Sequence, residues 1–110
     1  MVVDRRKNPR IPLEHIFYLT VISADQELPA VLLDISVCGA RIGFTPNQTL
    51  PPVNSELTFQ ETSFLAEILA NRKATVMWQV GVQCGLLFTK QLDTKLEHIA
   101  KLLESEIFYQ

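Results

Sequence analysis

Arg5, Arg6 and Arg10 stand in the run Arg5-Arg6-Lys7-Asn8-Pro9-Arg10, and Asp34, Ser36 and Gly39 stand in Asp34-Ile35-Ser36-Val37-Cys38-Gly39, which begins 24 positions after Arg10. The first group is cationic. A guanidinium donates in parallel to phosphate oxygens or to O6 and N7 of a guanine, and its face stacks on a base. Lysine supplies the charge without the fork, so Lys7 ranks below its neighbours. The second group offers a carboxylate that suits the paired N1–H and N2–H donors of guanine, and a hydroxyl that donates or accepts. Gly39 adds a backbone that can come close to a ligand or adopt positive φ. The chemistry these residues share is recognition of an anionic guanine nucleotide.

Each group also has a plainer reading. The arginines serve equally as a solvated, solubilising tail or a weak anion patch. Asp34 to Gly39 serves as an Asx or Ser turn at a strand end, with Gly39 a turn residue only. Trp78, the one tryptophan, reads first as a core aromatic.

The elements that must position these groups follow from periodicity. Residues 1–12 form an arginine-rich arm, which Pro9 and Pro12 bias toward extended geometry, and Arg6 and Arg10 then fall on one side of it. The β-branched and aromatic run from His15 to Ile22 predicts a strand, and Ser23 to Glu27 a turn. Leu28 to Ser36 predicts a second strand, in which alternation puts Leu32, Asp34 and Ser36 on one face and Val31, Leu33 and Ile35 on the other. Ala40 to Thr45 predicts a third, with Ile42 and Phe44 on one side and Arg41 and Thr45 on the other. Pro46 to Ser55 is a loop by composition, and Glu56 to Gln60 a fourth strand. Phe64 to Asn71 fits a helical face and a buried strand alike. Ala74–Val80 and Gly85–Thr89 predict a hairpin with Gly81 in or near its turn. Leu92, Leu96, Ile99, Leu103 and Ile107 recur at helical spacing, and Thr94 with Glu97 forms a capping-box pattern, so a helix is expected over about 93–108. The whole is mainly β: residues 13–110 as one small barrel or strongly curved sheet closed by one helix.

Composition narrows the function. A chain of 110 residues, 47% hydrophobic and 20% charged, has the size of one domain with one core. Its net charge of −2 argues against binding nucleic acid polymers, although four of its ten basic residues lie in the first ten positions. No apolar run approaches the ~18 residues of a membrane span, and the charged N-terminus lacks a signal-peptide core, so the expectation is a cytoplasmic protein. Cys38 and Cys84 read as reduced residues, and neither they nor His15 and His98 have metal-ligand spacing. No nucleophile–base pair or phosphate-loop glycine pattern occurs. Asp34, Ser36 and His15 would make a hydrolytic trio only if something brought His15 to the other two. The expectation is a protein that is not an enzyme and carries no metal or cofactor.

With both motifs in their setting, the chain resembles the PilZ domain family, bacterial receptors for the second messenger cyclic di-GMP. Arg5 to Arg10 fits that family's RRxxxR arm, and Asp34 to Gly39 its (D/N)xSxxG motif. Val76-Met77-Trp78 followed by Gly85-Leu86-Leu87-Phe88 looks like its late hairpin, and the closing helix agrees. The resemblance implies a small six-stranded antiparallel split β-barrel with a C-terminal α-helix. It also implies cyclic di-GMP as ligand, held by Arg5, Arg6, Arg10, Asp34, Ser36 and Gly39, with Arg41 and Trp78 as lesser candidates. The domain would be a sensor that acts on a separate effector protein. Members of the family without the arm are interpreted as adaptors, which leaves a protein-interaction module as the alternative.

Overall fold

In a computed structural model, residues 11–60 and 66–107 are described. Strands β1 (Ile11–Ser23), β2 (Gln26–Ile35), β3 (Gly39–Gly43) and β4 (Glu56–Phe59) precede a one-turn helix, α1 (Ala66–Leu69). Strands β5 (Lys73–Val80) and β6 (Gln83–Phe88) and helix α2 (Leu96–Ile107) follow. All strand pairs are antiparallel, in the order β1-β2-β3-β6-β5-β4, and Val21↔Phe59 with Ile22↔Thr58 closes the last strand onto the first. The result is a closed six-stranded barrel with a C-terminal helix.

Alternation builds the interior. Phe17, Leu19 and Val21 point inward from β1 while Ile16 and Tyr18 stand exposed. Ala40 and Ile42 meet Leu86 and Cys84 across the β3–β6 ladder, all buried. Phe59 and Phe88 meet edge to face at 6.0 Å, and Ile99 and Leu103 on α2, with Leu92 just before it, join the same core. Among the described residues, no helix is long and apolar enough to cross a membrane.

Two short turns carry their own chemistry. Ala24 and Asp25, at φ 51° and 64°, join Ser23 to its partner Gln26, a two-residue hairpin whose positive φ at both positions matches strand twist. Gly81, at φ 60°, opens the β5–β6 turn where sequence placed it.

Three departures from the sequence reading matter for function. First, β1 starts at Ile11, so residues 11 and 12 of the expected arm pair with Ile35 and Asp34. Second, β2 is bulged: Leu32 faces Ile42 but Asp34 faces Arg41, leaving Leu33 as the extra residue. The alternation that put Asp34 with Leu32 therefore fails there. Strict alternation would aim a carboxylate into the dry interior, whereas the bulge lets Leu32 and Ile35 both face inward and turns Asp34 out. Third, α2 begins after Thr94, because the first helical hydrogen bonds, from His98 and Ile99, return to the Lys95 carbonyl. Thr94 is thus one residue too early to cap it. The ambiguous stretch 64–71 contains the short helix α1, whose Ile68 and Leu69 are buried; residues 61–65 lie outside the described part.

Candidate functional site

A bulge also interrupts β5, where Val76 faces Leu86 and Trp78 faces Gly85, with Met77 between them. The two bulges flank the same rung of the regular β3–β6 ladder, Arg41↔Gly85. Together the registers place Asp34, Arg41, Gly85 and Trp78 in one row across the outside of β2, β3, β6 and β5. Pro12, opposite Asp34 on β1, extends the row to the root of the arm. Arg5, Arg6 and Arg10 themselves lie outside the described residues, but Arg10 is bonded to Ile11, one residue from Pro12.

Within the row, Arg41 is held from both sides. Its Nε lies 3.0 Å from Oδ2 of Asp34, and its Nη1 donates to Oε1 of Gln83 at 3.3 Å. The Nε–H is not aimed at an acceptor, so the contact with Asp34 is an ion pair rather than an aligned hydrogen bond. The Asp34 side chain is only 7% exposed and that of Arg41 37% exposed. The sequence reading assigned a guanine as the partner that a buried Asp34 needs; in the folded chain Arg41 is such a partner.

Gly85 has a structural reason to lack a side chain. A Cβ there would run into the indole of Trp78, so the ring lies down over the β6 backbone and Trp78 is half-buried on the outer wall, outside the core. Gly39 is also a matter of close approach. A Cβ there would collide with the backbone carbonyl of Leu86, and Gly39 does not adopt positive φ.

The turn between β2 and β3 is built by Ser36. Its hydroxyl accepts N–H bonds from Cys38 and Gly39, each at 3.2 Å, while the Ser36 amide donates to the Gly39 carbonyl at 2.8 Å. At 2% exposure Ser36 is buried, which is the Ser-turn reading of the motif. The same turn is strapped to the segment that leads into α2. Phe88 N–H donates to the Cys38 carbonyl at 2.8 Å and Leu92 N–H to the Val37 carbonyl at 2.7 Å, and Gln91 Nε2 donates to Cys38 Sγ at 3.3 Å.

Neither described cysteine is in a disulfide. Burial pushes the Cys84 thiol above its ordinary pKa, against a smaller opposing effect of a hydrogen bond with Gln79. Among the described residues, no group of three or more His, Cys, Asp and Glu side chains is placed to hold a metal ion.

Sequence reasoning missed Gln83, which orients Arg41, and the role of Gly85. The available signal was glycine at outward positions of strands, where a missing side chain leaves room for a neighbour or a ligand.

A closed six-stranded antiparallel barrel with a C-terminal helix and a row of Asp34, Arg41, Gly85 and Trp78 on its outer wall defines a class of small β-barrel domain. A family model, described as the PilZ domain, matches residues 4–105, and the chain belongs to that family. No match is found among curated proteins.

Proposed function

We propose that the domain is a cyclic di-GMP receptor that orders its arginine arm on the ligand and passes the signal to a separate effector protein. The observation that carries this reading is the position of the Asp34–Arg41–Gly85–Trp78 row beside Pro12, at the point where the arm joins the barrel. Arg5, Arg6 and Arg10 supply the charge that two phosphodiesters require. Arg41 is a fourth guanidinium, pre-aimed by Asp34 and Gln83, and Trp78 is a flat aromatic at the far end of the row. Asp34 holds Arg41 in the free domain, and a carboxylate with several acceptor sites can also receive guanine N–H donors. Ser36 and Gly39 serve the ligand chiefly by fixing the turn on which Asp34 depends. The work is recognition; bonds in the ligand stay intact. It runs in a cytoplasmic bacterial signalling setting.

Calorimetric titration of cyclic di-GMP, with Trp78 fluorescence followed in parallel, tests the reading. Saturable binding that weakens as salt rises is the expected result, because the grip is mainly charge-assisted. Absence of heat and of any fluorescence change would leave the alternative, a PilZ-fold interaction module that does not bind nucleotide. The intrachain partners of Asp34 and Ser36 are the observations that favour that second reading.

A further inference from the structure

One row along the barrel wall from Asp34 and Arg41, the outer surface changes character. Val80 faces Gln83, Gln83 faces Gly43, Gly43 faces Val31 and Val31 faces Tyr18. This second row runs parallel to the first, two residues away on β3, β5 and β6, which is roughly 7 Å. A groove of about 380 Å³ opens at its β1–β2–β3 end, and its outward-facing lining includes Tyr18, Thr20, Pro29, Val31, Gly43 and Thr45. Tyr18 is 72% exposed, an unusual place to leave an aromatic ring. Gly43 leaves its part of the floor without a side chain, and a Cβ there would make ordinary van der Waals contact, at 3.4 Å, with Leu33 Cδ1 and Val31 Cγ2. Arg41 lies two residues from the groove residue Gly43 on β3, and its Nη1 donates to Gln83, the residue directly across from Gly43.

We infer that this groove is a seat for a purine base, and that it takes the second guanine of the cyclic dinucleotide whose first base meets the Asp34–Arg41 row. The inference rests on the receptor reading above. Its physical basis is the match between surface and ligand. Going along the wall, the surface passes from the root of a cationic arm, through a carboxylate–guanidinium pair, to an apolar groove with one exposed aromatic ring. A cyclic dinucleotide brings charged phosphodiesters and two flat bases, the kinds of group that these neighbouring surfaces can meet. The groove begins at Gly43, two residues along β3 from Arg41, and its lining carries no charged side chain. A stacked base needs a π-face and little else, and Tyr18 supplies one.

The test is a cyclic di-GMP titration of the full chain, wild type against Tyr18→Ala and Tyr18→Phe, with amide chemical shifts of Val31, Gly43 and Thr45 followed by NMR. Tyr18 is largely exposed, so its replacement leaves the fold intact. The expected result is a loss of about 10-fold for Tyr18→Ala, the effect of removing one base-stacking aromatic, near-normal affinity for Tyr18→Phe, and ligand-induced shifts at Gly43. Wild-type binding that Tyr18→Ala leaves unchanged would overturn the groove assignment and leave the receptor reading standing. Failure of the wild type to bind would overturn the receptor reading, and this inference with it. Self-association of the ligand-free domain that Tyr18→Ala abolishes would assign the groove to a second copy of the chain and overturn the base assignment.

Discussion

The two faces of the central strands follow opposite rules. Inside, Leu32, Ala40, Ile42, Val76, Cys84 and Leu86 are packed to near-zero exposure. Outside, the same strands carry Gly39, Gly43 and Gly85, an ion pair between Arg41 and Asp34, and a tryptophan laid flat. The inner face is filled by side chains, and the outer face is shaped by leaving them out. Bulges at Leu33 and Met77 reconcile the two, since each lets a strand keep its apolar residues inside while re-aiming Asp34 or Trp78 outward. If the proposed receptor reading holds, stability and recognition are separable here, and substitutions should sort by face.

The largest expected effect falls on binding alone. Arg6→Ala with Arg10→Ala should reduce cyclic di-GMP affinity by about a thousandfold, taking about 2 kcal/mol for each lost charge-assisted contact, while thermal unfolding is unchanged. A large drop in Tm, or normal affinity, would break the division between faces. On the inner face, Ile42→Ala should destabilise the domain by about 3 kcal/mol through lost transfer energy and a cavity, read by urea unfolding; a loss under 1 kcal/mol would mean that the site can collapse. Gly85→Ala is expected to be intermediate, at about 1–2 kcal/mol, and to alter Trp78 emission because the new methyl displaces the indole. Unaltered emission would show that the ring does not depend on the bare backbone beneath it.

Arg41→Ala should cost about 1 kcal/mol, since it leaves the mostly buried Asp34 carboxylate without its cation. The double variant Arg41→Ala/Asp34→Asn should recover part of that loss; a purely additive result would mean that the pair is not coupled. The smallest effect concerns pH. The folded Cys84 thiol titrates above its unfolded counterpart, so its contribution is fully present below the ordinary thiol pKa of about 8.5 and is lost as pH rises through the folded value. Stability should therefore fall slightly more steeply in the wild type than in Cys84→Ala as pH rises above the ordinary thiol pKa. Equal slopes would show that the thiol contributes nothing to the pH dependence.

The sequence was most readable where one physical rule acted alone. Helix α2 followed from Leu96, Ile99 and Leu103, and β3 from the alternation of Arg41, Ile42 and Phe44. Gly81 marked its own turn. The reading failed where tertiary demands overrode period. Nothing local to Leu33 announces a bulge; it follows from keeping both Leu32 and Ile35 dry beside a carboxylate. Ala24 at positive φ likewise lacks the usual asparagine or glycine signal, because closure of β1 on β2 sets that turn. For the site, Asp34 and Arg41 were visible as separate candidates, but their pairing depends on the β2–β3 register. The row with Gly85 and Trp78 requires the order of the whole sheet.

The strap between the β2–β3 turn and the segment before α2 gives the barrel a mechanical property. Residues 36–39 and 88–92 share two backbone hydrogen bonds and a side-chain bond to sulfur, while Leu92 is anchored in the core. A displacement of the turn is thus transmitted to the foot of the helix and is not absorbed by a loose loop. The Ser36–Gly39 turn and the mount of the helix are one stitched joint, and amide exchange at Phe88 and Leu92 serves as a gauge of its tension.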